Sequence, residues 1–219
     1  MRILIFGASG MVGSSVLNAC LKSPRVSAVR AVLRRPLATS DPKLETVLHK
    51  DFRDFTAVVP AFRDVDACLF CLGISSSIVP DEAAYREITY DYPMAAGAAL
   101  RAASPSAAFQ YLSGQGAGVG SRLMWARVKG EAERDLMARF GATCWRPMGV
   151  GAAPSATTPW AFYLARPFFP IMRLFPRLFV EGEDLGRAML QATAEGVRGR
   201  IIESAEIHDF ARRARNAQA

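Results

Sequence analysis

The segment Gly7-Ala8-Ser9-Gly10-Met11-Val12-Gly13 lies between a short apolar run, Arg2–Phe6, and a stretch of helical spacing, Met11–Lys22. Its three glycines recur every third residue, and each answers a separate physical demand. Gly7 lets the chain leave the strand in a tight turn. Gly10 removes a Cβ where a pyrophosphate must approach the backbone, and Gly13 lets the helix lie close on the sheet. The helix opening at Met11 turns its unpaired N–H groups and the positive end of its dipole toward those phosphates. A Gly-rich turn alone is a weak signal; between a strand and a helix it has the context the reading needs. The segment predicts a dinucleotide site with Gly7, Ser9, Gly10, Met11, Val12 and Gly13 around the cofactor. The plainer reading is a structural turn without a ligand.

The next strand, Ala28–Leu33, bears on which dinucleotide is bound. An acidic residue at its end usually takes both ribose hydroxyls of NAD. Here Arg34-Arg35-Pro36 follows, and the first acid is Asp41. A guanidinium at that point pairs with a 2′-phosphate through planar bidentate bonds. NADP(H) is therefore the expected cofactor, with NAD(H) as the alternative. Two solvated surface arginines are the plainer reading of Arg34 and Arg35.

Further strands are expected at 45–49, 67–71, 108–113 and Thr143–Arg146, with helical spacing at 83–103 and 121–140. Apolar runs alternating with amphipathic helices predict βαβ units and a doubly wound, mostly parallel α/β sheet with helices on both faces. Residues 1–150 would form the cofactor-binding core of a single Rossmann domain spanning 1–219. The remainder, 151–219, would be a smaller substrate or lid region with a last helix at 183–194 and a strand at 199–204. Its segment 160–180 is dense in aromatics and broken by Pro167, Pro170 and Pro176. It reads equally as a lid over a pocket or as ordinary core or dimer packing.

The 219 residues are half hydrophobic (51%) and a fifth charged (21%), which suits a buried core and excludes a disordered chain. No window approaches the roughly 18 unbroken apolar residues of a membrane span. The apolar run after Arg2 is too short for a signal peptide, so a cytoplasmic location is expected. Cys20, Cys68, Cys71 and Cys144 all lie in apolar surroundings. Cys68 and Cys71 form a CxxC inside an expected strand and would point to opposite faces, and no second ligand pair with zinc spacing exists. No metal site is expected. The net charge of +7 suits phosphorylated ligands, but basic residues are not interleaved with aromatics as nucleic-acid binding requires. Arg212, Arg213 and Arg215 read as a solvated, frayed end.

Together with GASGMVG at 7–13, the stretches VLRRP at 32–36, KDFRD at 50–54, CLG at 71–73, YLSGQG at 111–116, VKGEAE at 128–133 and WRPMGV at 145–150 carry a family signal. In that order they resemble the short-chain dehydrogenase/reductase superfamily, in its atypical branch of Tat-interacting-protein-like and NmrA-like proteins. The resemblance implies that Asp51 and Phe52 border the adenine and that Cys71, Leu72 and Gly73 line the cofactor. It implies that Ser113 is the catalytic serine and that Lys129 holds the nicotinamide ribose. Plainer readings are a turn cap for Asp51, a turn hydroxyl for Ser113 and a solvated helix lysine for Lys129.

The family motif is Tyr-x-x-x-Lys, and this chain has Trp125-Ala126-Arg127-Val128-Lys129. An indole N–H donates a hydrogen bond but has no usable acid/base equilibrium near neutral pH. Loss of a general acid costs about two to four orders of magnitude in rate. Thr89 stands near the place where relatives carry Asn or Asp. Tyr111, sharing a strand face with Ser113, is a candidate substitute acid, although a core tyrosine is the better reading. Ser75, Ser76 and Ser77 would contact phosphate or substrate, or supply turn hydrogen bonds.

Three functions follow as expectations. The first is an NADP(H)-dependent oxidoreductase or epimerase-like enzyme acting on a small molecule by an altered proton path. The second is a catalytically silent NADP(H) sensor that signals to a protein partner. The third, nucleic-acid binding, is the weakest. A homodimer or another protein partner stays open on the sequence.

Overall fold

Strand β1 (Arg2–Phe6) exposes Arg2 and buries its other four residues. A strand apolar toward both faces belongs in the middle of a parallel sheet. In the computed structural model, which describes residues 1–151 and 178–217, β1 pairs in parallel with β2 (Ala28–Leu33) and with β4 (Ala67–Phe70). The seven-stranded sheet runs β3-β2-β1-β4-β5-β6-β9. Here β3 is Leu44–Leu48, β5 Ala108–Leu112, β6 Thr143–Arg146 and β9 Ile201–Glu203. All pairings are parallel, as expected of a doubly wound Rossmann sheet. Strand order reverses between β1 and β4, and ligands of such sheets bind in the crevice at the carboxyl ends there.

Two apolar layers flank the sheet. On one side α1 (Met11–Lys22), α5 (Gly182–Ala194) and α6 (Ser204–Asn216) bury Val16, Leu17, Leu185, Met189 and Phe210 against it. Helices α1 and α5 approach closely: a Cβ at Gly186 would stand 2.6 Å from the Cβ of Ala19. On the other side α3 (Tyr92–Ala103), α4 (Met124–Phe140) and a 3₁₀ turn (Thr56–Phe62) cover Phe6, Phe70, Phe109 and Tyr111. Cys68 lies in this second layer and Cys71 in the first.

Some expected elements differ in detail. The helix expected over 83–103 is three joined pieces: α2 (Glu82–Arg86), a π-helical turn (Glu87–Asp91) and α3. Apolar spacing does not report a widened turn. The helix expected from 121 begins at Met124, because the hydroxyl of Ser121 takes the Leu123 N–H in a turn. The C-terminal arginines are not a frayed end. Arg213 pairs with Glu195 and Arg215 with Asp184, fixing α6 to α5 across a large sequence gap. The strand expected at 199–204 stops at Glu203, where α6 starts. Val150–Gly151 (β7) pairs with Val180–Glu181 (β8). Of the segment 160–180, read equally as a lid or as packing, residues 160–177 lie outside the described residues. Among the described residues no helix is long and apolar enough to cross a membrane.

Candidate functional site

The Gly-rich turn sits at the carboxyl end of β1, as its sequence position demands. Gly7 adopts φ +78, a conformation other residues rarely take, and it lies against the chain that continues from β4. A Cβ there would meet the Leu72 nitrogen at 2.6 Å and the Cys71 carbonyl at 2.7 Å. The turn and the Cys71-Leu72-Gly73 segment are thus brought together. The N-cap of α1, Gly10, has no side-chain capping bond, and the first turn carries no acid. The helix therefore presents backbone N–H groups, uncontested by a carboxylate, to whatever occupies the crevice. Ser9 is exposed beside them, and Met11 and Val12 are half-buried.

At the end of β2, Arg34 and Arg35 are both exposed and take part in no ion pair among the described residues. The charge of Arg34 acts on Tyr92, whose phenol donates to Glu87 at 2.8 Å. Arg53 holds the same Glu87 oxygen at 2.6 Å. Asp51 is exposed, and its carboxylate accepts the Arg53 N–H at 2.9 Å in a turn. Phe52 is buried among Phe6, Phe55 and Tyr92.

Ser113 follows β5, its N–H donating to the Trp145 carbonyl at 2.8 Å. It is buried, and its hydroxyl has no partner. An unpaired buried hydroxyl costs about 1–3 kcal/mol, so a partner from outside the described residues, a water or a ligand, would be favoured there. Helix α4 faces the loop after Ser113. Trp125 and Lys129, one turn apart, lie on one side of it. The indole edge is 3.6 Å from the place of a Cβ at Gly116, and Lys129 Nζ is 3.9 Å from that at Gly114. The loop comes this near because Gly130 has no side chain: a Cβ there would stand 2.4 Å from the Gly118 backbone. Burial pulls the Lys129 ammonium down to about 8, and Glu133 opposes the fall.

The other candidates are placed differently. Tyr111 donates to the Thr89 carbonyl at 2.9 Å, and burial pushes its phenol up, so it is a core tyrosine tied to the π turn. Ser75 and Ser77 share a hydrogen bond at 2.8 Å in an exposed loop. Burial also pushes the thiol of Cys20 up to about 12, and raises those of Cys68, Cys71 and Cys144. Sequence reasoning missed the Glu133–Arg146 pair, at 2.5 and 2.9 Å, which anchors α4 to β6 behind Lys129. No local spacing signals that pair, because Arg146 lies on a different element. A groove of about 630 Å³ between Thr56 and Ala99 lies on the outer face of α3, remote from these groups. Ser113 and Lys129 both lie beside the loop that begins at Gly114, after the carboxyl end of β5.

No protein-family model matches the chain. The Eremothecium gossypii protein FMP52, mitochondrial, is 26% identical over 94% of this chain and 96% of its own length. Rat HTATIP2 is 30% identical over 60% of this chain and 54% of its own. Among solved structures, the Bordetella bronchiseptica enzyme WbmF in complex with NAD⁺ superimposes with a TM-score of 0.69 at 17% identity. That match covers 98% of this chain and 77% of WbmF. FMP52 proteins of three other yeasts also match, and all are named mitochondrial, which overturns the cytoplasmic expectation. The chain is thus similar to FMP52 along most of its length and to HTATIP2 over part of it, and it shares the Rossmann fold of WbmF.

Proposed function

We propose that this protein is a nicotinamide-dinucleotide-dependent oxidoreductase that prefers NADP(H) and acts on a small carbonyl or alcohol. The observation that carries the reading is the pair of exposed arginines, Arg34 and Arg35, without an ion pair among the described residues, following β2 where an NAD site needs an acid. The glycine turn would take the pyrophosphate on the N-terminus of α1, with Ser9, Met11 and Val12 around it. Asp51 and Phe52 would stand by the adenine, and Cys71, Leu72 and Gly73 beside the ribose and nicotinamide. Ser113 would bind the substrate oxygen. WbmF, crystallised with NAD⁺ and with NADH, supports a dinucleotide in this fold. The mitochondrial relatives make that organelle the proposed location.

Titration with NADPH and, in parallel, NADH, followed by protein fluorescence, tests this. Strong quenching by NADPH at concentrations where NADH is silent is expected. Equal response to both would remove the preference, and no response would remove the cofactor.

A second reading is favoured by Trp125, which the motif alignment would put in the place of the family's proton-donating tyrosine. A silent NADP(H) sensor would bind the cofactor tightly, reduce nothing, and change its assembly between NADP⁺ and NADPH. Identical sedimentation with both forms would sink it.

A further inference from the structure

We infer that Lys129 itself exchanges the proton with the substrate oxygen at this site, Ser113 holding that oxygen through its otherwise unpaired hydroxyl. The inference rests on the oxidoreductase reading above and names the acid that reading lacks.

Elimination at the carboxyl edge leads to it. Tyr111 is spent on the Thr89 carbonyl, and burial raises it; burial raises Tyr85 likewise. Cys71 is buried and raised. His49 sets its Nε2 against the carbonyls of Asp51 and Asp54, and His208 sets its own against that of Phe179. Glu133 is taken up by Arg146. The Trp125 indole has no usable acid/base equilibrium near neutral pH. Lys129 remains, and it makes no hydrogen bond or ion pair with any described residue. The buried, unpartnered Ser113 hydroxyl and the half-buried Lys129 ammonium, which pairs with no described residue, thus stand beside one short stretch of loop, Ser113-Gly114.

The electrostatics suit the task. A general acid works best when its pKa lies near the working pH, and burial brings Lys129 to about 8. Several charges on the elements around α4 are paired with one another, while Asp91 on the π turn, Arg101 on α3 and Arg139 on α4 carry charge there as well. From α2 and the π turn, Glu82 meets Arg127, Arg86 meets Glu131 and Tyr90 meets Asp135. From β5 and β6, Tyr111 and Cys144 are held neutral by burial, while α3 brings Gly97 against Phe140. Glu133, on its own helix, is the charge that acts on Lys129.

A bound reduced nicotinamide supplies the hydride. The carbonyl π bond opens, and its electron pair stays on the oxygen held by Ser113. That oxygen takes a proton from Lys129 Nζ, giving the alcohol and a neutral amine, which half-buried Lys129 restores from solvent.

Two measurements test this. The first is labelling of Lys129 by acetic anhydride, read by mass spectrometry across pH 6–11 with and without NADPH. Half-reaction near pH 8 and protection by NADPH are expected; reaction only above about pH 10 would overturn the inference. The second is reduction of 4-nitrobenzaldehyde and 9,10-phenanthrenequinone by NADPH. The native rate should fall as pH rises through about 8. Lys129→Arg keeps the charge but cannot release a proton, and should lose about 100-fold or more in kcat. Its NADPH affinity should change only a few-fold. A Lys129→Arg variant with native kcat and pH profile would overturn the inference. So would a native protein that binds NADPH and reduces neither carbonyl, leaving the cofactor reading intact. Failure to bind any nicotinamide dinucleotide would instead remove the oxidoreductase reading, and this inference with it.

Discussion

A Cβ added at Gly13 would stand 2.0 Å from the carbonyl oxygen of Gly7. No atom pair of that kind approaches so closely, so the first turn of α1 rests on the end of β1 only because Gly13 is a glycine. The same contact fixes where the helix N-terminus points.

Substitution separates the structural from the binding role of this turn. Gly13→Ala must open the contact with backbone, which cannot yield cheaply, and is expected to cost about 1–3 kcal/mol or more in urea unfolding along with cofactor affinity. At Gly10 the added Cβ would meet only the Gly7 oxygen, at 3.2 Å, and φ is −81. Gly10→Ala should therefore unfold within about 1 kcal/mol of the native protein yet lose NADPH binding, because the methyl occupies the phosphate's approach. Unchanged NADPH quenching in Gly10→Ala would show that the phosphate does not pass there.

What the sequence discloses and what it hides divide along physical lines. The bounds of β1, α1, β2 and β6 coincide with the apolar and helical periodicities, because burial on both faces of the sheet writes those patterns locally. The site is legible where a backbone need forces a residue type, as at Gly7 and Gly13. It is not legible where the deciding partner is distant in sequence. Nothing around Arg215 announces Asp184, and nothing around Glu133 announces Arg146. The π turn that receives Tyr111 is equally silent, since widening by one residue leaves the apolar spacing of 83–103 nearly unchanged.

The arginines after β2 give a specificity prediction. Arg34→Ala combined with Arg35→Ala removes charge-assisted bonds to a 2′-phosphate, worth about 1.5–3 kcal/mol each. NADPH affinity should fall at least about tenfold while NADH affinity is nearly unchanged. Equal losses for both cofactors in fluorescence titration would assign the arginines to the shared part of the molecule.

Lys129 carries a stability signature apart from any activity. Its ammonium titrates near 8 in the folded chain and near 10.5 when free. Between those values the unfolded chain binds more protons, so this group makes stability rise with pH from about 8 to 10.5, and below 8 its full destabilisation is present. Lys129→Met removes that burden. The variant should exceed the native protein by roughly 1–2 kcal/mol at pH 7, allowing for solvent screening of a half-buried group. The gain should shrink above pH 8 in urea titrations, and a constant gain would point to packing instead.

The Glu133–Arg146 pair connects this lysine to the far side of α4. Glu133 is almost wholly buried, with Arg146 on both of its oxygens and Glu203 as a further partner of the guanidinium at 3.2 Å. Arg146→Met leaves a buried carboxylate without its cation and should destabilise by about 3–5 kcal/mol. Glu133→Gln is milder, since Arg146 keeps Glu203, but it removes the charge that holds Lys129 up. The labelling midpoint of Lys129 should then move down by about half to one pH unit, and the basic limb of the rate profile should move with it. If the midpoint stays while stability falls, Glu133 serves only to join α4 to β6, and the field at Lys129 comes from burial alone.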